Sequence, residues 1–359
     1  MTNSPKQYIF NPARVFAGLF VLVLICSFAK ADLKEGFIHG YWFDNSYSDV
    51  MGTNSGTACR TISISEDGLF GQAILCNGGY VRLEDSHGTG FGIADGRDGK
   101  MTIMCWFNPS SAATSERVLI SNSAWKSGKN PGVVLDAQYK GGPYYNIGDG
   151  TDRIDLNANV PTVANEWQFA AITADLTTNQ AYLYYGTANG TLQQAQVDSS
   201  KLQNIDSLLS SYKWYIGEDY NDYYFYGLID EMGIWNRALS LDEINQVYTA
   251  QQNGTSLGNQ LNFASSATTA KAGAYTDGST WAGGVVPKVD ANVIINSAVT
   301  SDGRTFNGDA VIGEDGSLSA TGCVFVGHSN GADATLTING PSLAGSCAMT
   351  APKSLGEGR

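Results

Sequence analysis

Between two strand-like runs the chain reads Glu218-Asp219-Tyr220-Asn221-Asp222-Tyr223-Tyr224, in which carboxylates and an amide alternate with tyrosines. Such groups suit sugars, whose C–H faces stack on rings while their hydroxyls bond to Asp and Asn. Two further loops, one carrying Trp125 and one carrying Tyr144 and Tyr145, are candidates for the same rim. The expected ligand-binding set is therefore Trp125, Tyr145, Tyr220, Asp222 and Tyr223. Tyrosines packed as sheet covering have the same composition, and an acidic rim also suits a cationic or protein partner. A second constellation joins Asp44 and Asp49 in one acidic loop to Asp230 at a strand end. These are hard oxygen ligands for calcium if they converge, and Asx-turn or backbone acceptors if they do not. Catalysis has no comparable set. Asp230 and Glu231 are adjacent, so strand alternation sends them to opposite faces. His39, His87 and His328 lie in separate segments with no Ser or Cys nucleophile beside them, which reads each as a surface histidine.

The elements that must position these groups are clearest from 214 to 248. Residues 223–235 are rich in aromatic and β-branched side chains, with Gly227 and Gly233 as places where the backbone bends or approaches closely. Ser240-Leu241-Asp242-Glu243 is a capping box, and Leu241, Ile244, Val247 and Tyr248 follow at helical spacing. A strand thus leads into a short surface helix. Gly227, Ile229, Asp230, Glu231, Trp235, Asn236, Arg237, Ala238, Leu239 and Ser240 together resemble the last strand of the laminin-G-like branch of the concanavalin A-like jelly rolls. Other segments agree in order: the strand and acidic loop 40–49, the turn and strand 68–83, the apolar strand 101–107, and the pair 166–174 and 180–185. The resemblance spans about residues 37 to 252 and implies a two-sheet sandwich, often with calcium near the loops of Asp44, Asp49 and Asp230. Short strands recurring with turn signals give the same sandwich without it. The apolar run 101–107, hydrophobic on both faces, predicts a strand covered on both sides. Enzymes of this fold that cleave β-glucans place three acids as E-x-D-x-x-E on one strand, and no such run occurs here.

Residues 1–31 contain Lys6 and Arg14, an apolar run from Val15 to Phe28, and Ala29-Lys30-Ala31, the form of a cleavable export signal. The run is shorter than a bilayer span requires. The formal charge of −13 becomes more negative by three once Lys6, Arg14 and Lys30 leave. That excludes nucleic acid and anionic membrane surfaces, whose recognition needs basic patches. Five of the six cysteines follow the signal, so full intramolecular pairing is excluded. Cys59 and Cys76, flanking one expected hairpin in an oxidising compartment, are the expected disulfide, and Cys105 a buried thiol.

After residue 252 the composition turns to Gly, Ser, Ala and Thr, which reads as a linker over 253–272. Short apolar strands at 293–295, 311–312, 324–326 and 335–338 then recur with turn residues between them. With the opening Trp281-Ala-Gly-Gly-Val-Val-Pro-Lys-Val-Asp290, the segment 273–345 resembles the β-helical passengers of autotransporter-like surface proteins; 346–359 is a tail without family pattern. The sequence therefore predicts an all-β chain: signal 1–31, jelly roll 36–252, linker, and a short parallel β-helix. The expected activity is non-catalytic binding of a polysaccharide or glycoconjugate, by a secreted or cell-surface protein. A protein-binding adhesion module and an accessory domain of a larger glycan-degrading enzyme are the alternatives.

Overall fold

In the computed structural model the described residues run from 32 to 344, except 45, 53, 85–87, 113–114, 125–127, 262, 283–285, 302–303, 307–309, 313–314, 316, 321–323, 327–335 and 339–341. The expected signal, Trp125, His87, His328, Cys323 and Cys347 lie outside them. Residues 33–252 build two antiparallel sheets face to face. The eight-stranded back sheet runs, edge to edge, Gln193–Gln196, Gln180–Thr187, Gln168–Asp175, Lys100–Pro109, Tyr226–Trp235, Ala73–Asn77 and Ile62–Ser65, with Phe37–Tyr41 also on Tyr226–Trp235. The seven-stranded front sheet runs Arg153–Asn157, Tyr144–Gly148, Gly132–Asp136, Val118–Ser121, Tyr215–Ile216, Tyr80–Leu83 and Gly56–Cys59. This is the two-sheet sandwich that the strand spacing predicts.

The apolar strand Lys100–Pro109 explains its own composition. Ile103, Cys105 and Phe107 enter the core between the sheets. Met104 and Trp106 enter a second core on the outer face, closed by the helix Leu241–Gln252. That helix begins on Ser240, whose side chain accepts from Glu243 N while the Glu243 carboxylate accepts from Ser240 N at 2.8 Å. Tyr248 stacks on Trp106 with centroids 5.8 Å apart, and Trp106 Nε1 donates to Gln251 Oε1 at 2.9 Å. Gly227, at φ 141°, packs where a Cβ would meet Asn108 O at 2.2 Å, so the bend into this central strand requires glycine.

Three expectations are corrected. Cys59 and Cys76 are both free. The hairpin forms between Ile62–Ser65 and Ala73–Asn77, but Cys59 ends a strand of the front sheet before it, while Cys76 lies in the back sheet and faces the inter-sheet core. Burial pushes the Cys76 thiol up to about 12. His39 is buried, stacked on Phe91 at 4.5 Å, with its two ring nitrogens against Asp49 Oδ2 at 2.8 Å and Phe91 O at 3.2 Å. Residues 253–272 are not a free linker: Leu257 and Leu261, at and just after the helical turn Leu257–Gln260, sit in the outer core. The strand Ala264–Thr268 already belongs to the next sheet.

Beyond residue 263 all ladders among the described residues are parallel. Ala264–Thr268, Pro287–Ile295, Ala310–Ile312 and Leu336–Ile338 form one sheet; Gly273–Ala274, Ala298–Ser301, Ser317–Ala320 and Ser342–Ala344 a second; Arg304–Phe306 and Val324–Val326 a third. The chain visits these ladders in turn, so Val293 pairs with Ala310, which pairs with Leu336. Val293, Ile295, Val299, Ile312 and Leu318 face a separate small core with Tyr275 and Trp281.

Candidate functional site

Period-two alternation fixes what the front sheet shows to its outer side. Val81, Leu83 and Ile216 point into the inter-sheet core, so Tyr80, Arg82 and Tyr215 point out. Tyr215 pairs with Arg82, and Tyr80 with Cys59. The loop 217–225 folds back over this face. Gly217, at φ 89°, closes against Cys76, whose Sγ would lie 3.0 Å from a Cβ there. Gly217 N donates to Leu119 O at 2.8 Å and Phe225 N to Gly217 O at 2.9 Å, which pins both loop ends. Inside it, Asp219 accepts from Asn221 N at 2.8 Å and from Tyr223 N at 3.3 Å.

The result is a tyrosine cluster around one carboxyl. Tyr220 lies 4.1 Å from Tyr212 and 4.7 Å from Tyr215, ring centroid to centroid, and keeps 39% of its surface exposed. Tyr80 adds a ring 5.0 Å from Tyr215 and 6.4 Å from Tyr224. Arg60 places its guanidinium 4.9 Å from the Tyr224 ring centre and 3.3 Å from Asp222, to which the Tyr224 hydroxyl also donates. Glu218 is only 5% exposed, and its Oε2 has no hydrogen-bond partner among the described residues. Burial, with Asp222 and Asp219 adding to it, pushes the Glu218 carboxyl up to about 8. Along the same face Glu84 is bonded by Arg82 at 2.8 Å and Lys213 at 2.9 Å; these outweigh its burial and hold it down at about 2.

Of the expected ligand-binding residues, Tyr220 and Asp222 belong to this cluster. Tyr223 turns away and packs on Val118, Val134 and Tyr144. Tyr145 is corrected from rim to core: it is 1% exposed between the sheets, because Tyr144 takes the outward position of that strand. Tyr80, Tyr212, Tyr215, Arg60 and Glu218 complete the cluster; all five are absent from the expected ligand-binding set, although Glu218 opens the expected loop and Tyr80 and Tyr215 occupy outward places in alternating strands.

The expected calcium ligands do not converge. Among the described residues no group of three His, Cys, Asp or Glu side chains is placed to hold a metal ion. Asp49 is fully buried and accepts from His39, from Gly40 N and Met51 N at 3.0 Å each, and from Asn54 N at 3.1 Å. Burial opposes its ionisation, but His39 and these backbone donors outweigh it and hold the carboxyl below the usual range. Asp44 accepts from Gln72 N at 3.0 Å, and Asp230 from Phe70 N at 3.0 Å. These carboxylates serve the backbone, so the set does not fit the ion.

Nor do Asp230 and Glu231 simply alternate. A β-bulge interrupts the register between Asp230 and Gly233, with Glu231 at φ 54°. Burial first, and Glu231 second, raise Asp230 well above the carboxylate range. Glu231 accepts from Gln251 Nε2 at 2.9 Å and from Leu257 N, tying the strand to the helical cover. Separately, a cavity of about 230 Å³ lies between Pro143, Pro161, Phe169, Tyr185 and Gln193 at the other side of the sandwich.

No curated protein matches the chain. Among solved structures, domain 4 of AbnA, an extracellular arabinanase from Geobacillus stearothermophilus in complex with arabinotriose, is 20% identical over 58% of this chain and 97% of its own, with a TM-score of 0.45. The binding domain of Paraclostridial Mosquitocidal Protein 1 is 14% identical over 60% of this chain and 52% of its own, TM-score 0.46. The binding domain of Botulinum Neurotoxin DC, in complex with SialylT, is 11% identical over 61% and 52%, TM-score 0.44. The chain spans about half the length of those two toxin domains. Residues 77–245, within the two-sheet sandwich, match the family model of the concanavalin A-like lectin/glucanases superfamily.

Proposed function

We propose that this chain is an exported, non-catalytic binding protein that takes glycans on the outer face of its front sheet. The observation that carries the reading is the stack Tyr212–Tyr220–Tyr215, open to solvent through Tyr220 and bordered by Glu218 and Asp222. A half-exposed ring beside hydrogen-bonding acceptors matches the two faces of a sugar. Trp125 stays a candidate for the same rim on its sequence position. Glycoside hydrolysis needs one protonated and one ionised carboxyl free to face a bond. Here Asp222 is engaged by Arg60 and Tyr224, and Asp219 by its own turn, which favours binding without cleavage. Residues 1–31 serve as the export signal in this reading. The parallel ladders after residue 263 are, in this reading, successive coils of a β-helix.

A glycan array with the full chain and with Tyr220→Ala tests the reading. The parent is expected to retain a polysaccharide that Tyr220→Ala binds about tenfold more weakly, since one stacked ring supplies about 1–3 kcal/mol. Retention of cell-surface proteins and of no glycan overturns it in favour of an adhesion module, and release of reducing sugar overturns its non-catalytic part.

A further inference from the structure

We propose that the cavity walled by Pro143, Pro161, Tyr185 and Gln193 is a second binding site, separate from the Tyr220 cluster, and that it takes one uncharged sugar ring. The two places stand on opposite edges of the front sheet, so this goes beyond the reading above and rests on different residues.

The walls come from both sheets. Tyr185 faces the inter-sheet core, and Gln193, its partner across the ladder, shares that side. Thr187, two residues on, and Gln168 opposite Thr187 lie on it as well. Pro143, Val160 and Pro161 close the cavity from the front-sheet loops. Both walls are fixed by bonds that a ligand does not have to supply. Thr162 N donates to Gly141 O at 2.8 Å and Ala158 N to Pro143 O at 3.0 Å, and a Cβ on Gly142 would meet Val160 O at 2.1 Å. On the other side the Tyr248 hydroxyl donates to Thr187 O at 2.6 Å and Gln252 Nε2 to Gly190 O at 2.8 Å. The covering helix thus holds the hairpin loop that forms the rim. A cavity set in advance costs little ordering to fill.

The lining selects the class of ligand. Two proline rings, Val160 and the Tyr185 ring give an apolar floor suited to the C–H face of a sugar. The Tyr185 hydroxyl donates to Gln193 Oε1 at 3.0 Å, which leaves the tyrosine oxygen as an acceptor and Gln193 Nε2 as a donor. Among the described residues Gln193 Nε2 and the Thr191 hydroxyl carry no hydrogen bond, and both residues are exposed at the mouth. They are ready for sugar hydroxyls. Gln168 is wall only, since its amide is engaged by Val163. No charged side chain stands among the described residues that line the cavity, so a carboxylate or ammonium would enter without a counter-charge. A volume of about 230 Å³ lies below the roughly 300–1,000 Å³ of sites for drug-sized ligands, which suits a single ring and not a run of several.

The experiment is saturation-transfer NMR and calorimetric titration of the full chain with methyl glucoside, methyl galactoside and methyl mannoside, with glucuronate and galacturonate, and with benzyl alcohol as an uncharged aromatic. At least one methyl glycoside is expected to bind with a Kd of about 1 mM, about tenfold more tightly than either uronate. Thr191→Trp, at an exposed position, should close the mouth and abolish the signal. Gln193→Ala should weaken binding about three- to tenfold, as loss of one hydrogen bond does, and Tyr220→Ala should leave it unchanged; circular dichroism checks the fold of each variant. Binding that survives both Thr191→Trp and Gln193→Ala, equal binding of a uronate, or binding of benzyl alcohol alone overturns the inference, as does binding of none. A glycoside signal lost in Tyr220→Ala and kept in Thr191→Trp also overturns it, and leaves the front-face reading standing.

Discussion

At the scale of single residues the strongest feature is a carboxyl kept out of water. Glu218 has its folded pKa raised to about 8 by burial and neighbouring acids. A raised carboxyl contributes stability that is complete below the unfolded value and is lost as pH rises through the folded one. Glu218→Gln should therefore leave stability near pH 5 almost unchanged and add about 1–2 kcal/mol at pH 9, where the parent buries a charge; urea titrations at the two pH values check this, and equal differences at both would mean that Glu218 is ionised throughout. Asp49 has the opposite sign. Its pKa is lowered by His39 and backbone donors against the effect of burial, so its contribution is present above the unfolded value and is lost as pH falls through the folded one. Because its oxygens already hold four donors, millimolar calcium should leave the melting temperature equal to that in chelator. A rise in calcium that Asp49→Asn abolishes would show that the loop rearranges to bind the ion.

At the scale of elements, the helix Leu241–Gln252 is fixed at its start and along one face. Glu243 accepts from Ser240 N at 2.8 Å and from Arg237 at 2.6 Å, and it is 7% exposed. Ser240→Ala should cost about 1 kcal/mol, as loss of an N-cap side chain does. Glu243→Ala should cost about twice as much, since it also removes the ion pair with Arg237. Chemical denaturation of the two variants and of the double variant decides this. A Glu243→Ala effect no larger than that of Ser240→Ala would mean that the Arg237 pair contributes nothing.

At the scale of the whole molecule, two kinds of β-structure meet at one side chain. Phe263 packs on the outer core of the sandwich and on the small core of the parallel ladders, 5.7 Å from Phe37. The helical turn before it buries Leu257 and Leu261. The two parts are therefore expected to melt together and to resist protease across 253–261. Phe263→Ala should remove about 1–3 kcal/mol of coupling, splitting one calorimetric transition into two and opening the chain to cleavage near 262–268. A single transition in that variant would place the connection in Leu257 and Leu261 instead.

The local sequence by itself determined the sandwich, its doubly covered strand 101–107, the capping box and the loop that carries Tyr220 and Asp222. Each follows from alternation, from helical spacing or from a cap, which act over a few residues. What only the tertiary structure decided are relations between distant segments. Cys59 and Cys76 went to different sheets because the chain crosses between them. The alternation of Tyr144 and Tyr145 was legible, but which of the two faces the core depended on which side the opposite sheet covers. Asp44 and Asp230 come near each other at the turn 70–72, but each is claimed there by a backbone N–H, and Asp49 is held apart by His39 and its own backbone donors. Tyr80 and Arg60 came to Glu218 and its sequence neighbours Tyr212 and Tyr215 from more than a hundred residues away in the chain, and no spacing in a single sequence encodes which strands pair.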